Sequence, residues 1–398
     1  MNHEKIESIC KELHHTLEKY HIPYMFTKEV SLMLQGVTMN EPFPVTIEVQ
    51  WDVFSSVREH FDVYAPSEIE RTKLEARFQF RMDDVKVIIY CHFNTTVRTN
   101  PYRMDVTYQD VVFPCHSLYA YLYFPQTAYS ERIHEALLRQ QQLLTAQNER
   151  AWNQNNYEAL VHRYGEPSSI AKKIKENPEW RLYPFYKYMN DIEGKKVMHL
   201  MGSNGVKAAA LSLLGAEVTV ADFSLENQAF ATAISKEAEA PFSYIVSDVL
   251  SLPNKVKLAE YDIVLMELGV LHYFIDLKPL LQVVKMLLCP GGRFILHEFH
   301  PISTKLITST GKKHNVVGNY FNPAVESGNV AFTKHVADEK KESLEKVVQR
   351  RWTMGELMTA VGQEGLMIEI LEEEPNHKIH DIGLPKTFTL IARNVNLD

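Results

Sequence analysis

The sequence predicts an α/β protein whose C-terminal half is a parallel sheet with helices on both faces. Three observations carry that expectation. Residues 194–222, GKKVMHLMGSNGVKAAALSLLGAEVTVAD, read as an apolar strand, a Gly-Ser-Asn-Gly turn, an Ala/Leu-rich helix and a second strand ending on Asp222. Apolar runs then keep alternating with helical stretches as far as Phe299, the rhythm of βαβ units. A Pro-Gly-Gly group at 290–292 punctuates the last of those alternations.

Taken in order, residues 1–20 form an amphipathic helix with Ile6, Ile9, Leu13 and Leu17 on one face. A strand at Tyr24–Phe26 and a helix through Leu32 and Leu34 to Gly36 follow. Val45–Val49 alternates with period two, and Val85–Tyr90 and Val111–Tyr123 complete a smaller α/β unit. From Tyr129 to about Asn156 the chain is helical, polar and free of glycine and proline. These features divide the chain into an N-terminal α/β domain (1–148), a helical connector and covering segment (149–194), and a third domain (195–398).

Within that third domain, strands are expected at Val197–Leu200, Val218–Asp222, Ser243–Val246, Ile263–Glu267 and Arg293–Phe299. Helices fill the gaps at Val206–Leu214, from Ser224 onward and at Leu277–Leu288, Ser224 offering an N-cap hydroxyl. After His300-Pro301 the rhythm breaks, giving an insertion at about 302–352 with aromatics Tyr320, Phe321 and Phe332. A helix at Met354–Val361 and strands at Met367–Leu371 and Thr387–Ala392 close the chain. Because the insertion follows the fifth strand, it sits at the sheet end where α/β proteins bind ligands, and a substrate-covering role is expected.

Composition narrows the function. With 45% hydrophobic and 23% charged residues over 398 positions, the chain reads as globular protein with room for more than one core. The net charge of −8 is spread along the chain, which disfavours a nucleic-acid partner. The pairs Arg350-Arg351 and Lys312-Lys313 read as solvated surface. No apolar run approaches the ~18 residues of a membrane span, and the start MNHEKIESICKELHH is no signal peptide, so a cytoplasmic location is expected. Cys10, Cys91, Cys115 and Cys289 lie far apart, and no histidine cluster has ligand spacing, so no disulfide framework and no metal is assigned.

The chemistry follows from the first βαβ unit. Asp222 lies 20 positions beyond Gly202, where such units hydrogen-bond a ribose hydroxyl pair, so a nucleoside-containing cofactor is the direct inference. A pyrophosphate site would want G-x-G-x-x-G; only Gly202 and Gly205 are present, which disfavours a dinucleotide. The segments VMHLMGSNG, VTVADFS, YIVSDVLSLP, YDIVLMELGVLHYF and LLCPGGRFILHEFHP, in order, resemble class I S-adenosylmethionine-dependent methyltransferases of the small-molecule type across about 155–393. That resemblance implies a Rossmann-like seven-stranded sheet, mostly parallel with an antiparallel last strand. It also implies S-adenosyl-L-methionine as cofactor, with S-adenosyl-L-homocysteine as product.

Position by position, the resemblance makes Gly202, Ser203 and Gly205 the cofactor loop and gives the ribose to Asp222, with Phe223 against the adenine. It places Asp248 and Val249 at the adenine amino group, and Glu267 and Leu268 near the methionine moiety. His199, Met201 and Ser203 stand where the family's first motif has an acidic residue and two glycines, so a group that usually holds the cofactor's amino end is missing. Methyl transfer from a sulfonium needs alignment above all. A base is needed only for an acceptor that loses its proton early, and His272, Tyr273 and His300 are the candidates, His300 in the mouth of the site. His297, alternating within its strand, reads as a packed histidine, and Tyr157 and Arg181 as residues that close over cofactor or substrate.

The first domain resembles a nucleotidyltransferase-fold protein in HIPYMFTKEVSLMLQGV, VTIEVQW, DDVKVIIY and VVFPCHSLYAYL. Thr27-Lys28-Glu29 replaces the glycine–serine turn, Glu48 is the lone acid of the metal-binding strand, and Ile88 or Ile89 takes the third carboxylate's place. Two-metal transfer needs clustered carboxylates, so a silent scaffold or recognition module is implied. The expected acceptor is a small molecule. A tRNA or protein acceptor recognised by the N-terminal domain, and a non-catalytic cofactor-binding protein, are the alternatives. The methylated atom and the oligomeric state stay open.

Overall fold

The computed structural model describes residues 3–122, 128–189, 191–310, 313–336, 343–376 and 383–395. The chain forms two compact units, Met1–Leu137 with Phe321–Ala324, and Leu138–Tyr320 with Val325–Asp398.

The first unit opens with α1 (His3–Lys19), whose Ile6, Ile9, Leu13 and Leu17 are buried on one stripe. Its sheet contains β1 (Tyr24–Thr27), β2 (Val45–Val49), β3 (Glu70–Arg71), β4 (Glu75–Met82), β5 (Val85–His92), β6 (Arg103–Tyr108) and β7 (Val111–His116). Their order is β3-β4-β5-β2-β1-β7-β6. Central β2 pairs with β1 and β5 and is buried at every residue, so the alternation read from Val45–Val49 has no exposed face. Short helices α2 (Lys28–Leu34) and α3 (Phe54–Glu59) follow β1 and β2. Among the described residues no group of acids and histidines is arranged to hold a metal ion.

The expected boundary near 148 falls inside one continuous helix, α4 (Ser130–Trp152), and the units part at Leu137 instead. Hydrogen bonds explain the shift. Gln141 donates to the Tyr273 carbonyl at 2.8 Å and accepts from the Ile275 amide at 2.8 Å. Asn148 bonds both amide and carbonyl of Val348. From Gln141 onward the helix therefore belongs to the second unit.

That unit continues through α5 (Asn156–Tyr164), α6 (Pro167–Glu176) and α7 (Pro178–Arg181) into β8 (Lys196–Leu200), α8 (Val206–Leu213), β9 (Glu217–Asp222), α9 (Leu225–Ala238) and β10 (Ser243–Val246). Next come β11 (Tyr261–Glu267), α10 (Leu277–Leu287) and β12 (Leu288–Phe299). The insertion holds two hairpins, β13 (Ile307–Thr310) with β14 (Lys313–Val316), and β15 (Val325–Gly328) with β16 (Val347–Arg350). Helix α11 (Met354–Gln363), β17 (Leu366–Pro375) and β18 (Pro385–Asn394) end the fold.

The second sheet is seven-stranded and Rossmann-like, in the order β10-β9-β8-β11-β12-β18-β17, and β18 runs antiparallel to both neighbours. Successive residues of its apolar runs enter opposite faces. Val197, Ile263 and Leu265 join α8 and α9 on one side. Met198, Leu200, Val264 and Met266 join α10 and α11 on the other. The Pro-Gly-Gly group does not precede β12 but lies within it, where the register slips between Tyr261 and Ile263 of its partner strand. Arg350 is also unlike its expected surface role: it is fully buried, ion-paired to Glu356 at 2.6 Å, with its guanidinium 3.7 Å from the centre of the Trp352 ring. Among the described residues no helix is long and apolar enough to cross a membrane.

Candidate active site

The C-terminal ends of β8, β9 and β11 open into a cavity of about 700 Å³ in the second unit. Parallel strands all point their carboxyl ends to one edge, and ligands gather there because chain reversals leave a crevice between loops. Trp180 and Arg181 contribute to its wall from α7, and Phe332 and Gln349 from the insertion.

Gly202, Ser203, Asp222, Phe223, Glu267, Leu268, His272 and Tyr273 all line this cavity. Its rim carries backbone in the left-handed region at Met201 (φ 52°), Ser203 (φ 46°) and Leu268 (φ 44°). Non-glycine residues adopt that region at a cost and gather where a site constrains the chain.

Asp222 ends β9 and is nearly buried. One carboxylate oxygen accepts from the Ser224 amide at 2.9 Å and from Asn227 Nδ2 at 3.3 Å; the other accepts from the Ser203 amide at 3.1 Å. Burial pushes this carboxyl above the ordinary aspartate value, and the Ser224, Asn227 and Ser203 donors pull it back. The acid is thereby locked to the turn after β8 and to the start of α9.

Beneath the loop lies His199, fully buried, with neither ring nitrogen hydrogen-bonded. Burial pushes its imidazole down to about 4, so it is neutral near pH 7. Its Nε2 is 3.8 Å from Glu267 Oε1, and Glu267 Oε2 is 3.6 Å from Lys207 Nζ. A Cβ on Gly202 would lie 2.8 Å from His199 Nδ1, so the histidine leaves space there for glycine alone.

His272 and Tyr273 follow β11 on a short turn. Burial lowers the His272 imidazole below its usual value, and its Nδ1 has no hydrogen-bond partner. Burial pushes the Tyr273 phenol up to about 12, and its hydroxyl accepts from Trp152 Nε1 at 3.0 Å. A neutral imidazole can take a proton; a phenol held protonated can only donate one.

Five expected positions lie off the cavity wall, among them Tyr157, which packs edge-on against Phe230 of α9. Gly205 (φ 73°) begins α8, and a Cβ there would meet Ala231 Cβ at 2.6 Å, so it is a close-packing point between α8 and α9. Asp248 turns its carboxylate to the Leu250 amide at 3.2 Å, capping a short helix, and Val249 packs in the core. His300 is not in the mouth of the site. Phe299 lines the cavity, and the next side chain must face away. His300 Nε2 accordingly meets Glu373 on β17 at 2.6 Å, and its amide bonds the Lys386 carbonyl. His297 is buried against Thr389 Oγ1 at 3.0 Å, as a packed histidine.

Two determinants escaped the sequence. The buried Glu298 accepts from the amides of Gly269 (2.5 Å), Val270 (2.9 Å) and Leu271 (3.3 Å), fixing the turn that carries His272. Glu226 accepts from the Asn155 and Tyr157 amides and ties α5 to α9. Both bind backbone groups distant in sequence, which no motif records.

Residues 201–296 match a family model described as a methyltransferase domain. The matched residues all lie in the second unit. Solved structures similar to the chain include a Listeria monocytogenes protein assigned as an S-adenosylmethionine-dependent methyltransferase, with 21% identity, 55% of this chain, 99% of that chain and a TM-score of 0.44. An S-adenosylmethionine-dependent methyltransferase from Mesorhizobium loti has 21% identity, covering 54% and 97%, with a TM-score of 0.42. A magnesium protoporphyrin IX methyltransferase from Synechocystis PCC 6803 with bound SAH has 15% identity, covering 62% and 96%, with a TM-score of 0.38. A search of curated proteins finds no match. The matched stretch begins at Met201 in the loop and ends in β12, so it spans the strands that carry Asp222 and Glu267.

Proposed function

We propose that the second unit transfers a methyl group from S-adenosyl-L-methionine to a small-molecule acceptor in this cavity. One observation carries the reading: a buried carboxylate, Asp222, is fixed by three donors on the wall of a cavity at the strand ends, beside the glycine loop. An acceptor-only group so placed suits a pair of ribose hydroxyls. The remaining chemistry of the wall fits the cofactor too, with Phe223 and Met201 apolar, and Glu267 and Lys207 of opposite charge. A cavity of about 700 Å³ has room for a nucleoside and a small acceptor together.

When bound, the cofactor would supply a methyl group already activated on a sulfonium sulfur. The protein's part is to hold acceptor and methyl in line and to exclude water. Trp152, Trp180, Tyr183, Phe299 and Phe332 give the wall an aromatic character suited to a flat, largely apolar acceptor. His272, neutral at pH 7, is placed to take a proton where the acceptor must lose one.

Calorimetric titration with S-adenosyl-L-homocysteine tests the reading. Wild-type protein is expected to bind in the micromolar range, and Asp222→Ala to lose about 10- to 100-fold, the worth of charge-assisted hydrogen bonds to a diol. A folded wild-type protein that binds nothing would sink the assignment.

A further inference from the structure

We propose that Glu267 and Lys207 form a pre-paired clamp for the amino-acid end of the cofactor, Glu267 taking its ammonium and Lys207 its carboxylate. The inference rests on the cofactor reading above and supplies what the altered loop lacks.

The position at which the resemblance leads one to expect an acid is His199, which is buried, uncharged and unable to attract an ammonium group. Its strand β8 lies beside β11, with Leu265 opposite His199. Two residues further, Glu267 emerges at the cavity end of β11 and sets its carboxylate 3.8 Å from the His199 ring. The negative charge is thus retained at the site but delivered from the neighbouring strand.

Lys207 is the second residue of α8, and its Nζ sits 3.6 Å from the other Glu267 oxygen while also donating to the Arg181 carbonyl. Both side chains line the cavity and both are largely withdrawn from solvent, at 16% and 24% exposure. Separating such a pair to leave one charge alone is costly. An α-amino acid avoids that cost, because it brings one ammonium and one carboxylate on the same carbon, so each protein charge gains a partner as the pair opens. A neutral ligand end offers neither.

Asp222, Arg181 and Lys173 are the other charges on the wall, and the buried Nε of Arg181 has no hydrogen-bond partner. Asp222 is held by three donors, and the Arg181 guanidinium lies 5.0 Å from the centre of the Trp180 ring. Lys173 lies on the cavity-lining surface of α6.

The clamp makes the site selective for nucleosides that carry the amino acid. Calorimetry with S-adenosyl-L-homocysteine and with 5′-methylthioadenosine, which keeps the adenosine and lacks the amino-acid end, separates the possibilities. Glu267→Gln and Lys207→Met are expected to weaken S-adenosyl-L-homocysteine by about 10- to 100-fold. They should leave 5′-methylthioadenosine within about threefold, and Lys207→Arg should recover most of the loss. Circular dichroism melts confirm that each variant is folded.

Three results would overturn the clamp while leaving the cofactor reading intact. The first is S-adenosyl-L-homocysteine affinity unchanged in both variants. The second is an equal loss for both nucleosides, which would make the pair a structural support. The third is a full loss on Arg181→Met with none on Lys207→Met, which would give the carboxylate to Arg181. Failure of the folded wild type to bind either nucleoside would overturn the cofactor reading and the clamp together.

Discussion

At the scale of single residues, the second unit trades backbone ease for close approach. Gly205 has φ +73°, and a Cβ there would lie 2.6 Å from Ala231 Cβ and 2.9 Å from the Phe242 ring. Gly205→Ala therefore combines left-handed strain with overpacking, for an expected loss of about 2–4 kcal/mol in urea unfolding. A change below about 0.5 kcal/mol would show that α8 and α9 can part freely. Other residues were legible in the sequence because they end apolar runs: Asp222, Glu267 and the His272-Tyr273 pair all reach the cavity. His300 was misplaced because period two was not carried one step past Phe299, which does face the cavity. Asp248 does not line the cavity, and its Oδ1 accepts from the Leu250 amide. A short acid next to a helix start is as well suited to capping as to binding.

Among elements, the sheet strands that sequence reading missed are instructive. β4 alternates strictly, with Ala76, Phe78, Phe80 and Met82 buried, yet its solvent face carries Glu75, Arg77, Gln79 and Arg81. It joins β5 through Asp83-Asp84, both at positive φ (43° and 65°), and β6 joins β7 through Gln109-Asp110 (45° and 65°). Two-residue turns of this kind usually advertise themselves by glycine or asparagine; here neither residue is present. The turn after β11 depends on Glu298 in a comparable way, since one carboxylate satisfies three successive amides. Glu298→Gln keeps the volume but turns an amide NH₂ toward backbone donors, at an expected cost of about 1–3 kcal/mol. Amide hydrogen exchange should then quicken at Gly269–Leu271 while the β8 amides keep their protection. Uniform acceleration across the sheet would instead mean that Glu298 supports the whole fold. Because His272 rides on that turn, loss of turnover at unchanged S-adenosyl-L-homocysteine affinity is the functional counterpart.

The whole molecule should be more sensitive to acid than its overall charge suggests. His199 and His297 in the second unit and His116 in the first are each pushed down to about 4 by burial, against 6.5 for an ordinary imidazole. Between those values the unfolded chain binds protons that the native state refuses. The stability these groups contribute is therefore full above pH 6.5 and is lost progressively as pH falls toward 4. Each depression is worth on the order of 3 kcal/mol when complete, and about 2 kcal/mol by pH 5. Asp222 and Asp248 work in the opposite direction, since burial raises both carboxyls and acid favours their folded form. A single variant separates the contributions. His199→Leu removes one titrating ring from the core while every other group remains. Its urea stability should fall by about 2 kcal/mol less than that of the wild type between pH 7 and pH 5. A smaller loss in the wild type than in the variant would mean that His199 is not held neutral beneath the loop. It would then be a protonated, positive partner for Glu267, and the charge pattern drawn for the cofactor's amino-acid end would change with it.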